Sequence, residues 1–219
     1  MKPPIPYFGG KGRLASRIVG MLPQHGHYVE PYAGSLAVLL AKPRSRMETV
    51  NDLDGDLMCF WRVLRDQPDA LARVCALTPH SRAEREDAFN LQESPTDLER
   101  ARRVWVLLSQ GRSSTLRRTG WRFYGDPAGS TYAMPDYLAA YVQRIPPADA
   151  RLHGVSLEAR DALDVIADYG RQPDVLLYCD PPYLGSTRAT NYRHEMTSES
   201  AHRDLAAALR SCKASVVLS

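Results

Sequence analysis

The sequence predicts an α/β protein, a largely parallel sheet with helices on both faces. Three observations predict it. Short apolar runs alternate with amphipathic helical segments over residues 28–64 and again over residues 155–218. One of these runs, VLLYC at 175–179, is apolar from end to end and reads as a buried strand. That run stops at Asp180-Pro181-Pro182-Tyr183, because consecutive prolines have no N–H to donate to a ladder. At 219 residues and 44% hydrophobic content, the chain can bury one good core with a smaller appended lobe.

The elements follow in order. Residues 12–21 carry apolar side chains at helical spacing and end before Pro23. Tyr28 and Val29 predict a short strand, residues 31–35 a turn, and residues 36–41 the start of a helix. METVND at 47–52 reads as a second strand, and Asp54 can cap a helix running to about Leu64. The chain then changes character. Pro68 can start one helix, and Ser81-x-x-Glu84 forms a capping box for another. Thr96-x-x-Glu99 caps a third, with Val104, Leu107 and Leu108 on one face and Gly111 beyond its end. Residues 136–145 predict a last helix that stops before Pro146-Pro147. Sheet signals then return: a strand to about Glu158, a helix opened by Asp161, the VLLYC strand, a helix over 197–212 and a final strand, ASVVLS. The expected division is a sheet domain made of 1–55 and 149–219, interrupted by a mostly helical, basic insert at 56–148.

Composition narrows the class. No run approaches the ~18 apolar residues of a membrane span. The N-terminal stretch MKPPIPYFGGKG lacks the apolar core of a signal peptide. Cys59, Cys75, Cys179 and Cys212 are scattered, with no CxxC pair. A reduced, cytoplasmic protein with no membrane partner and no zinc site is the expectation. Net charge is only +3, but residues 100–125 hold seven arginines and no Asp or Glu.

Three segments carry the chemistry. Asp180 and Tyr183 sit on a stiff loop at the carboxyl end of a strand, the edge where open α/β sheets bind ligands. In VEPYAGS at 29–35, Gly34 lets the backbone approach a ligand closely. Asp52 ends the second strand, where an acid can accept both hydroxyls of a ribose. Taken singly, each has a plainer reading: a structural turn, a strand terminator, a helix N-cap at Asp161, a solvated charge at Lys11.

Their order is more specific. YFGGKGR at 7–13, then VEPYAGS, then a large insert, then DPPY at 180–183 resembles the Dam-like family of S-adenosylmethionine-dependent DNA adenine-N6 methyltransferases. The resemblance touches residues 6–219 and implies a Rossmann-like methyltransferase sheet with an inserted target-recognition lobe. It implies S-adenosyl-L-methionine as cofactor, double-stranded DNA as partner and methyl transfer to the N6 of a flipped adenine. The cofactor would be held by Tyr7, Phe8, Gly9, Gly10 and Lys11, by Glu30, Pro31, Tyr32, Ala33, Gly34 and Ser35, and by Asp52, Asp161, Ala162 and Asp180. Lys11 would pair with the cofactor carboxylate, and Asp161 would lie near its adenine. One departure stands out: the family often has a second glycine two residues after Gly34, and here that residue is Leu36.

The resemblance casts Asp180, Pro181, Pro182 and Tyr183 as the catalytic loop. The exocyclic amine of adenine is a poor nucleophile, because its lone pair is delocalised into the ring. Two fixed acceptors, the Asp180 carboxylate and the Pro181 carbonyl, would favour a pyramidal nitrogen, and the prolines would hold them in place. Tyr183 would stack on the flipped ring. No covalent intermediate is needed, so Cys179 reads as a core residue. In the insert, RSSTLRRTGWRFYG resembles the family's recognition segment. Arg112, Arg117, Arg118 and Arg122 are expected to contact DNA, and Trp121 and Phe123 to anchor the core of the lobe.

ASVVLS runs to the last residue, where related sheets continue. The expectation is that the C-terminal strands are missing and that self-association or a partner chain completes this sheet edge. Three alternatives remain: methylation of cytosine N4, where serine more often precedes PPY; glutamine methylation in proteins, where asparagine does; and a catalytically inactive DNA-binding relative. Asp180 and the basic insert favour adenine in DNA.

Overall fold

A computed structural model describes residues 1–126, 133–184 and 192–219. Its strands are β1 His27–Glu30, β2 Met47–Asn51, β3 Val155–Glu158, β4 Val175–Cys179 and β5 Ser215–Leu218. They form one five-stranded sheet in the order β3-β2-β1-β4-β5, and every pairing is parallel. The chain therefore runs outward from β1 in one direction and returns to add β4 and β5 on the other side. The order reverses between β1 and β4, and their carboxyl ends open the crevice that such sheets use for ligands. Val29 lies opposite Leu177, so Glu30 and Asp180 emerge at this one edge.

β4 is buried along its whole length, and its side chains alternate between two cores. Leu176 and Tyr178 join Tyr28 and Val50 in the larger core, while Val175, Leu177 and Cys179 join Val29 in the smaller. The smaller core is closed by helices α9 (Ala162–Tyr169) and α10 (Glu199–Ser211). The larger is closed by α1 (Ala15–Val19), α2 (Ala37–Ala41) and α3 (Gly55–Asp66). The described helices of residues 56–148 continue that core. α3 packs along α6 (Asp97–Gln110), α4 (Pro68–Leu77) packs on both, and α8 (Ile145–Leu152) packs on α3 and α4. Phe60, Trp61 and Trp105 are wholly buried between them.

Local chemistry accounts for the helix starts. The Asp54 carboxylate accepts the N–H groups of Asp56 and Leu57. Ser81 caps α5 (Arg82–Asp87) through the N–H of Glu84, and Thr96 caps α6 through that of Glu99. One expectation fails. Pro146-Pro147 does not lie beyond the last helix of the insert. α7 (Met134–Val142) ends earlier, and the two prolines sit in the first turn of α8. The N–H groups of a first turn have no intrahelical acceptor, so proline forfeits nothing there.

Trp121 and Phe123 are also not core residues: Trp121 is half-buried and Phe123 is 44% exposed. β5 occupies a sheet edge, with Val216 and Val217 half-buried and Leu218 exposed. Among the described residues, no helix is long and apolar enough to cross a membrane.

Candidate active site

A cavity of about 320 Å³ opens at the carboxyl ends of β1 and β4. Its floor is the turn after β1. Gly34 takes φ +48°, and its hydrogen faces the Tyr7 ring so closely that a Cβ would lie 3.2 Å from it. Both conformation and contact favour glycine here. The Gly34 carbonyl accepts from Trp61 Nε1 at 3.1 Å, and its N–H donates to Asp52 Oδ2 at 3.0 Å. Asp52 Oδ1 accepts the N–H of Asp54 at 3.0 Å. Asp52 therefore holds the turn and the start of α3 together. Burial pushes its carboxyl up to about 6, against those two N–H groups.

Leu36 completes the turn with φ 55° and a wholly buried side chain. The left-handed conformation that glycine would take freely is thus adopted by leucine, at a cost of about 1–2 kcal/mol. Burying the side chain contributes about 1.5–3 kcal/mol in return.

The opposite wall is the segment 7–11. Gly9 has φ +71°, and a Cβ there would collide with the Tyr192 hydroxyl. Lys11 reaches across to β4: its Nζ donates to Asp180 Oδ1 at 2.5 Å and to Oδ2 at 2.6 Å. The Tyr183 hydroxyl also donates to Asp180 Oδ1, at 3.2 Å, and Lys11 Nζ lies 5.1 Å from the Tyr183 ring centroid. Burial would lower the Lys11 pKa, but the hydrogen bonds and charge of Asp180 outweigh it and hold the ammonium above its usual value.

Every residue expected to hold the cofactor lines this cavity: residues 7–11 and 30–35, Asp52, Asp161, Ala162 and Asp180. Asp161 also serves as an N-cap, accepting the N–H of Leu163 at 2.7 Å. Pro182 lines the cavity; Pro181 is buried behind it, and Tyr183 is 44% exposed outside the lining. The expected pairing of Lys11 with a cofactor carboxylate has a competitor in Asp180.

A D12 class N6 adenine-specific DNA methyltransferase family model matches residues 7–219. The chain belongs to that family. Its reaction is N6 methylation of adenine in DNA, a chemistry that implies a methyl donor. Two curated relatives, both named DNA adenine methylase, come from Vibrio cholerae serotype O1 strains, one Classical Ogawa and one El Tor Inaba. Each is 25% identical over 199 residues, covering 86% of this chain and 67% of the relative.

In this D12-class chain one wall of the cavity went unread in the sequence. Residues 192–196 line it beside Ala201 and Asp204 of α10. Tyr192 Oη donates to the Phe8 carbonyl at 3.3 Å. Arg193 Nη1 donates to Asp56 Oδ2 at 2.5 Å and lies 3.4 Å from Asp54 Oδ1. The available signal was YRHEM, a dense polar run between DPPY and the Ser198 cap.

The basic segment abuts the same cavity. The Phe8 N–H donates to the Ser114 carbonyl at 2.9 Å, and Arg117 Nη1 donates to the Tyr192 carbonyl at 3.2 Å. Arg112, Arg117 and Arg118 are exposed, but Arg118 is ion-paired with Glu86. Arg122 donates to Tyr137 Oη, to Ser114 Oγ and to the Arg112 carbonyl, so it braces the segment from inside.

Glu30 is the buried acid of the site, 3% exposed and accepting from Tyr28 Oη at 2.9 Å. Burial, reinforced by the charge of Asp180, pushes its carboxyl up to about 8 despite the Tyr28 bond. The folded protein therefore keeps a proton that the unfolded chain releases near 4.5. Between those values folding takes up a proton, so the Glu30 contribution to stability falls as pH rises. Glu30→Gln, which can still accept from Tyr28, is expected to flatten this loss, a change of a few kcal/mol by pH 8. Thermal melts of both proteins from pH 5 to 9 check it; parallel profiles would contradict the assignment.

Proposed function

We propose that this chain transfers a methyl group from S-adenosylmethionine to the exocyclic N6 of an adenine flipped out of duplex DNA. The observation that carries this reading is the placement of Asp180. It stands at the end of β4, on the switch point, and opens onto a cavity lined by the turn after β1 and the segment 7–11.

The cavity suits the cofactor. At about 320 Å³ it falls in the range of small-molecule sites, roughly 300–1,000 Å³. Asp52 and Asp161 give its lining negative charge fit for a cation, while Asp180 is paired with Lys11 and Glu30 keeps its proton below about pH 8. Asp52 and the Gly34 turn would hold the nucleoside, and the Gly9-Gly10 backbone would close over it. When bound, the cofactor supplies a methyl group made electrophilic by its sulfonium.

The residues of the chain do the rest. An ionised carboxylate offers about four acceptor positions. Lys11 and Tyr183 occupy some of those of Asp180 and fix its orientation. The remainder, with the Pro181 carbonyl, would accept both N–H bonds of the amine and turn its lone pair toward the methyl carbon. The amine nitrogen would take the methyl group, leaving the donor a neutral thioether, and the displaced N6 proton would leave on the Asp180 side.

Tyr183 would stack on the flipped ring. Tyr183→Ala is expected to raise the KM for DNA by about tenfold, given ~1–3 kcal/mol per stacked base, while cofactor affinity stays unchanged. Equal loss of both would remove Tyr183 from this role.

The test of the function is direct. The protein is incubated with S-adenosylmethionine and unmethylated duplex DNA, and the digested nucleosides are identified by mass spectrometry. N6-methyladenine supports the reading. N4-methylcytosine would overturn the choice of base, and no methylated base would overturn methyl transfer by this chain.

A further inference from the structure

The charge of the basic segment is not distributed as the linear sequence suggests. Arg100 pairs with Asp56, Arg102 with Glu84 and Glu99, Arg103 with Glu99 and Asp87, and Arg118 with Glu86. Arg122 is bonded inward. Only Arg112 and Arg117 of the segment remain exposed and without an acid among the described residues.

A third arginine of this kind comes from elsewhere. Arg82 opens α5, is exposed, and has no acid partner among the described residues, because the acids of its own helix are taken by Arg102, Arg103 and Arg118. Its guanidinium carbon lies 4.3 Å from the Trp121 ring centroid and 5.3 Å from that of Phe123. Arg112 lies 5.6 Å from the same Phe123 ring. The rings form a stack. His80 lies 4.2 Å from Trp121 at 13°, and Trp121 lies 5.6 Å from Phe123 at 21°. His80 Nε2 is 2.9 Å from the Arg122 carbonyl, which anchors the stack.

A guanidinium resting on an aromatic face has lost much of its freedom but keeps its N–H edge for an outside acceptor. Here two cations from separate elements flank one exposed ring, so the charge is gathered by stacking and left unneutralised. We propose that Arg82 and Arg112, braced by the Trp121–Phe123 stack, form a clamp for the phosphates of the DNA backbone beside the target base. The location suits this role, since the same segment bonds the cavity walls through Ser114 and Arg117. Such contacts position the duplex and carry no sequence information of their own. The inference rests on the DNA methyltransferase reading above.

The experiment compares the protein with Arg82→Gln and Arg82→Lys. Affinity for two unrelated duplexes is measured across a salt series, with cofactor affinity and thermal melting recorded alongside. Losing one phosphate contact lowers the slope of log K against log salt by about one, equally on both duplexes. Arg82→Gln is expected to do this with cofactor affinity unchanged, and Arg82→Lys to keep the slope but bind more weakly. An unchanged slope overturns the clamp, as does a lower melting point alone, which would make Arg82 a brace for the rings. A loss confined to one duplex would mean base reading and also overturns it. Should Arg82→Gln not fold, Arg112→Gln is held to the same outcomes. A wild-type protein that neither binds duplex DNA nor makes N6-methyladenine fails the underlying reading; a flat slope in an active enzyme fails the clamp alone.

Discussion

Asp180→Asn is expected to lower single-turnover methyl transfer by at least ~10³ while cofactor affinity changes by less than about tenfold (~1.4 kcal/mol). Asparagine has nearly the same shape and retains one acceptor for Lys11 Nζ, now 2.5–2.6 Å from both carboxylate oxygens. Its NH₂ group, however, donates where the amine of the base must also donate. A loss of one preorganised hydrogen bond at a reacting centre costs about 10²–10³ in rate, and here a full negative charge disappears with it. Alanine would be a poorer test. It would leave the Lys11 ammonium, 12% exposed, without its ion partner and mix a local collapse with the catalytic effect. The Asn variant should melt close to the wild type and bind cofactor, so its failure would report on chemistry. Turnover within tenfold of wild type would show that the amine is activated elsewhere.

How far the sequence foretold the site follows from the range of each signal. DPPY after VLLYC marks a strand end and an acid within a few residues, and both lie where expected. The caps at Asp54, Ser81, Thr96 and Asp161 are equally local, since each side chain bonds an N–H two or three residues on. Signals that depend on the fold were opaque. The acid-free window from 100 to 125 looked strongly basic, yet α3 and α5 bring Asp56, Glu84, Glu86 and Asp87 against four of its arginines. Arg82 is the converse, an unremarkable residue in a mixed-charge helix made distinctive by rings some forty positions away. Pro146-Pro147 was misread because proline breaks a helix interior but suits a first turn. Leu36 shows the same limit: its position calls for a left-handed residue, but the burial that lets leucine serve is a property of the whole core.

The largest stability effect is expected far from the cavity. Glu48 stands at the amino end of β2, opposite to the carboxyl edge where the site opens. Its carboxylate binds Lys42 Nζ at 2.6 Å, both terminal nitrogens of Arg151 at 2.5 and 2.8 Å, and the N–H of Ser45 at 3.0 Å. The three side chains are 3%, 3% and 6% exposed. Burial opposes ionisation of Glu48, but the bonds from Arg151, Lys42 and Ser45 prevail and hold its carboxyl below the usual range. One anion here serves two cations and ties α2, β2 and α8 together. Glu48→Ala would leave Lys42 and Arg151 buried and facing each other, a loss of about 3–5 kcal/mol. Against a total stability of roughly 5–15 kcal/mol, and at roughly 2–4 °C per kcal/mol for a chain of this size, the melting point should fall by about 10 °C. Because no catalytic or cavity residue is touched, methyl transfer per folded molecule well below the new melting point should match the wild type. A melting point within about 3 °C of wild type would mean that water reaches the two cations and that the triad contributes little.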